Sequence, residues 1–175
     1  MFIKRVLFTL LAILLYCSTY GQTGIINAVG GGSVPLMVTS LTKYKDGMSL
    51  ENWTKIRIRY DDPTATSSGW ILQVQADFGY LGIMSDNGAD SLDLETLDIR
   101  VVDVDGTVYT GTSFPVSVPL SNTYAELLRD NQKSSVDLVV TISYDLGIKP
   151  AYRLLGKNPG FYFVDLRFNL ISKEP

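Results

Sequence analysis

The sequence predicts an all-β protein: an immunoglobulin-like Greek-key β-sandwich of about 7–9 antiparallel strands with one short helix. Apolar residues recur at every second position in several long runs, the pattern of strands with one face on a core and one in water. Clusters of Asp, Asn, Gly and Pro separate those runs. A single stretch carries a helix start signal.

The N-terminus reads as a leader rather than as part of the fold. Lys4 and Arg5 precede the apolar run "VLFTLLAILLY", which is shorter than the roughly 20 residues of a membrane-spanning helix. Thr19 and Gly21 are small enough for signal peptidase, so residues 1–21 form the expected signal peptide and Gln22 the new N-terminus. Tyr16 is large for the position before a lipidated Cys17, which disfavours a lipoprotein. Residues 22–34 follow as an expected flexible segment, in which "GIIN" precedes the glycine-rich "AVGGGSV". The β-sandwich domain is expected over residues 35–175.

Within that domain "WTKIRIRY" sets Ile56, Ile58 and Tyr60 against Lys55, Arg57 and Arg59. "GWILQVQA" places Trp70, Leu72, Val74 and Ala76 on one face. Phe114, Val116, Val118 and Leu120 alternate in the same way, but Pro115 and Pro119 lack the amide hydrogen a central strand needs, so this strand belongs at an edge. The longest run turns Val136, Leu138, Val140, Ile142 and Tyr144 to the core. Turns fall at 61–69, 85–90, 103–108 and 156–160, and Asp105-Gly106 suits a tight hairpin. Thr123 and Glu126 have capping-box spacing ahead of Leu127 and Leu128, which predicts the helix over 123–131. The closing stretch "NPGFYFVDLRFNL" puts Tyr162, Val164, Leu166, Phe168 and Leu170 on one face. Such a strand is expected to pair inside its own domain, beside the Val136–Tyr144 run.

Composition narrows the chemistry. Removing 21 residues from 175 leaves 154, one domain with enough chain to bury a core. Loss of Lys4 and Arg5 takes 15 basic residues to 13 against 18 acidic ones, a net charge of −5. Neither nucleic acid nor an anionic membrane surface is an expected partner. The chain has no histidine, and its only cysteine, Cys17, lies in the leader. The usual general base, thiol nucleophile and zinc ligands are therefore missing, which points away from catalysis and to no cofactor. Asp103 and Asp105, and likewise Asp86 and Asp90, offer oxygen ligands near glycine as calcium loops do, but turn geometry alone favours the same residues. Trp53 and Tyr80 lie near strand ends, where aromatics either cap a sandwich or stack on a glycan. Ile25, Ile26, Ala28 and Val29 form a short apolar stretch on a glycine tether, either a strand lent to a neighbour or an ordinary chain end.

Two segments carry a resemblance. "GWILQVQADFGYL" (69–81) followed by "LDLETLDIRV", and the closing "NPGFYFVDLRFNLI", together resemble secreted bacterial β-sandwich subunits of the spore-coat-protein-U and fimbrial-adhesin type. The leader ending in "YGQ" resembles those of exported Bacteroidota proteins. Many such subunits carry a cysteine pair, which the chain after Gly21 lacks. The resemblance implies an exported, non-enzymatic structural or adhesive subunit at a Gram-negative cell surface, with protein partners. A carbohydrate-binding module using Trp53 and Tyr80, and an accessory subunit of an outer-membrane or periplasmic assembly, are the alternatives.

Overall fold

A computed structural model describes residues 23–62, 67–77, 79–88, 90–106, 117–131 and 135–173. The protein is all-β. Twelve strands among these residues form three antiparallel sheets. The expected leader lies outside the described residues, as do Phe114, Pro115 and Val116; the turn expected over 103–108 is strand as far as Gly106, and its far side lies outside the described residues. No helix among the described residues is long and apolar enough to cross a membrane.

The largest sheet has five strands. β3 (Met48–Asp61) and β10 (Val136–Leu146) lie at its centre, paired from Val136 opposite Tyr60 to Leu146 opposite Met48. β7 (Leu97–Gly106) flanks β10, and β8 (Val118–Pro119) forms the edge beyond it. At the opposite edge β1 (Thr23–Gly30) pairs with β3. The alternation reads correctly here: Ile56, Ile58, Tyr60, Val136, Leu138, Val140, Ile142 and Tyr144 are all buried. The edge position expected for the proline-bearing strand holds at Pro119, opposite Asp98 of β7.

A second sheet has β4 (Gly69–Ala76) between β9 (Ala125–Asp130) and β12 (Leu166–Lys173). Trp70, Leu72, Val74 and Ala76 point into one contiguous core shared with the large sheet, a sandwich-like arrangement. The third sheet has four strands but is small in extent, because each is only two to four residues long: β2 (Leu36–Val38), β11 (Gly160–Phe163), β5 (Ile83–Ser85) and β6 (Ser91–Leu92). It closes one part of the core with Leu36, Val38, Tyr162, Ile83 and Leu92.

Four expectations are corrected. The helix expected over 123–131 is the strand β9 over Ala125–Asp130. Leu128 pairs with Leu72 and Glu126 with Gln73, so Leu127 is an extra residue in a bulge. A bulge breaks the two-residue period and lets consecutive leucines both turn inward, which imitates helical spacing. Both leucines are buried. The α-helix that does form, α1 (Leu41–Asp46), is capped where the Ser40 side chain accepts from the Lys43 amide.

The flexible segment expected over 22–34 contains the ordered strand β1, held to β3 from Thr23 opposite Asp61 to Gly30 opposite Lys55. The backbone partners along β3 outweigh the flexibility of the glycines. The closing stretch is two strands rather than one. β11 pairs with β2 and β5, the chain leaves the ladder at Val164 and Asp165, and β12 pairs with β4. The Val136–Tyr144 run is therefore not its neighbour, because β3 and β7 occupy both sides of β10. Finally, short strands such as β2, β5, β6 and β8 raise the count above nine, since two or three residues show no period of their own.

Candidate functional site

The seam between β1 and β12 brings together the free edges of the two larger sheets. Alternation sends Gly24, Ile26 and Ala28 towards β12 and the core, and Thr23, Ile25, Asn27 and Val29 to the outside. A Cβ at Gly24 would come within 3.1 Å of Leu170, so the two edges lie close together here. Further along they part, leaving a cleft of about 310 Å³ lined by Ile26, Ala28, Val34, Ile56, Leu166 and Phe168. The residues β1 turns inward are small, apart from Ile26, and no residue of the strand is fully buried. Ile25 and Val29 remain 49% and 56% exposed.

The sheet edges differ in their protection. β8 is two residues long and contains Pro119. β9 carries Glu126 and Arg129 in an ion pair, and β12 carries Arg167 and Lys173. β1 has eight residues with no charge and no proline. Charge, proline and shortness are the devices that stop a sheet edge from accepting a foreign strand, and β1 uses none of them.

A fixed point anchors β1 to the domain. Gly31 has φ +62° and packs on the β3 backbone so tightly that a Cβ would lie 2.1 Å from the Trp53 carbonyl oxygen. Tyr144 donates to the Thr54 hydroxyl at 2.9 Å, and Thr54 donates to the Gly31 carbonyl at 2.7 Å. Burial pushes the Tyr144 phenol above its ordinary pKa, against a smaller downward effect of Thr54. The Trp53 indole N–H donates to the Ser33 carbonyl at 2.7 Å. The chain is thus pinned at Gly31 and Ser33, while among the described residues β1 pairs with β3 alone.

These contacts also place the remaining residues singled out by sequence. Trp53 is 40% exposed but its polar end is engaged with the linker. Tyr80 packs half-buried against the core, and its hydroxyl donates to Asp165 at 2.8 Å, a bond that raises the phenol pKa. Trp53 and Tyr80 therefore act on different parts of the protein's own chain. Asp103 and Asp105 sit in the β7 ladder opposite Thr141 and Val139, not in a loop. Asp90 accepts from the amides of Ser91 and Asn158 and lies 3.5 Å from the Lys157 ammonium, contacts that pin the turn before β11. The Asn158 amide is the largest cause of its lowered pKa. Asp86 donates its amide to the Phe161 carbonyl, which puts its backbone in the same turn region. Among the described residues no group of three His, Cys, Asp or Glu side chains is placed to hold a metal ion.

Sequence reasoning did not single out the outward face of the small sheet. Met37 lies opposite Phe161, and Met84 opposite Phe163, so the four share one face. All four are exposed. The alternation of Phe161, Phe163 and Asp165 was the available signal. Comparison with protein-family models finds no match, and comparison with curated proteins finds none.

Proposed function

We propose that this protein is an exported, non-enzymatic subunit that works through protein–protein contact at a bacterial surface, with β1 as the strand that joins copies. Its scaffold in this reading is an immunoglobulin-like Greek-key sandwich, delivered across the inner membrane by residues 1–21. The observation that carries the proposal is β1: an uncharged, proline-free edge strand of eight residues with none of them buried. An edge of this kind accepts a strand from another chain through main-chain hydrogen bonds, and the strand itself can be offered in return. The glycine connection supports that use, because Gly30 adjoins the pinned Gly31 and can swing β1 as a unit. The cleft beneath Ala28 supports it too, since β1 fills its own groove incompletely.

Deleting residues 23–30 tests the reading by sedimentation at rising protein concentration. The full chain is expected to form multimers, and the deletion variant to stay monomeric with an unchanged near-UV circular dichroism spectrum. Multimers of equal size from both chains contradict the proposal, as does a full chain that stays monomeric throughout. Carbohydrate binding through Trp53 and Tyr80 has less support, because the polar end of each ring is engaged by Ser33 or Asp165.

A further inference from the structure

The small sheet reverses the usual pattern of a sheet with one solvated face. Its inner face is Leu36, Val38, Tyr162, Ile83, Ser85 and Leu92, all buried. A solvated outer face is normally polar. Here β2 presents Met37, β11 presents Phe161 and Phe163, and β5 presents Met84, with exposures between 37% and 51%. Leu81, 89% exposed, lines a shallow pocket with Met84 at the margin of this face.

The rim is mainly acidic. Asp86 is bonded through its backbone to Phe161, and Asp93 lines the pocket with Met84 and Leu81. Asp165 stands two residues beyond Phe163 and is exposed. Of the nearby cations, Lys157 lies beside Asp90, and Arg167 pairs with Asp77 at 2.5 Å. Lys43 sits at the far end, donating to the Met37 carbonyl.

We infer that this face is a docking surface for a basic amphipathic segment of a partner protein, whose apolar residues cover the two phenylalanines and two methionines while its Lys or Arg side chains meet Asp86, Asp93 and Asp165. Charge argues against a second copy as the occupant, because two copies would bring acidic rim against acidic rim. A partner segment of opposite charge meets no such obstacle, and charge complementarity at a rim speeds association and selects the partner. Methionine suits such a face because its flexible thioether adapts to different apolar shapes. A glycan would find no hydrogen-bonding group on Phe or Met. This surface is separate from β1, so it stands or falls independently of strand exchange.

The test uses the full chain and two synthetic probes, a twelve-residue peptide of alternating Leu and Lys and its alternating Leu and Glu counterpart, followed by fluorescence anisotropy. The Leu-Lys peptide is expected to bind saturably, and the Leu-Glu peptide at least tenfold more weakly. Phe161→Ser with Phe163→Ser should weaken Leu-Lys binding at least tenfold. Asp86→Asn with Asp93→Asn should weaken it several-fold and flatten its dependence on salt. The inference is overturned if Leu-Lys fails to bind, if both peptides bind equally, or if neither pair of substitutions changes the affinity. It is also overturned if Phe161→Ser with Phe163→Ser dissociates multimers of the protein, which would make a second copy the occupant.

Discussion

Gly31 is the residue on which the β1 anchor depends. With φ +62° and the Trp53 carbonyl in the space of a Cβ, alanine there meets backbone rather than a movable side chain. Gly31→Ala is expected to destabilise the fold by about 2 kcal/mol or more, read from urea unfolding, because β3 and the linker must separate. Asp137 gives a second prediction at this scale. Hydrogen bonding from Arg57, with further help from Arg59, holds its carboxyl down at about 2. Since the folded value lies below the unfolded one, this group's contribution is present above the ordinary carboxylate range and lost as pH falls towards 2. A carboxyl-detected NMR titration should show that midpoint, and Arg57→Ala should return it towards the ordinary value. A normal midpoint in the unaltered protein would contradict the pairing. Parity made such residues legible: Arg57 and Arg59 face water from the sequence alone. The pairing with Asp137 was not, because it depends on register between strands about eighty residues apart.

Among the elements, the long alternating strands were readable and the irregular ones were not. β3, β4 and β10 have the buried faces that their period requires. β9 fails as a strand in sequence because the bulge at Leu127 hides the period, and only β4, far away in the chain, fixes the register. α1 escapes notice because six residues carry too little amphipathic signal, and none of them is buried. The closing stretch shows the same limit: its apolar face is continuous, yet the chain changes sheets at Val164 and Asp165. β11 offers a direct check of parity. Tyr162→Ala is expected to cost about 3–5 kcal/mol as a cavity-forming change, whereas Phe161→Ser should stay within about 0.5 kcal/mol. Comparable losses from both, in the same unfolding experiment, would place β11 differently from the sheet described.

For the whole molecule, the proposed role rests on the distribution of protected and unprotected edges. Proline and shortness guard β8, charges guard β9 and β12, and β1 alone among the larger sheets' edges is left plain. The sequence showed the apolar, glycine-tethered content of this strand but not its location, because an edge is a property of the assembled sheet. Ile25, Ile26, Ala28 and Val29 were found by composition, while their division into inward and outward faces came only with pairing to β3. If β1 moves between copies, its partner positions on β3 must at times belong to a different chain. Ile25 lies opposite Arg59, both exposed, at a separation a disulfide can span once each is cysteine. The most direct measurement therefore mixes Ile25→Cys chains with Arg59→Cys chains, each in a Cys17→Ser background, under mild oxidation. Strand exchange predicts a disulfide-linked heterodimer on non-reducing gels, with the double variant Ile25→Cys/Arg59→Cys closing within one chain when alone and dilute. A double variant that closes, together with mixed single variants that never cross-link to each other, would contradict the account.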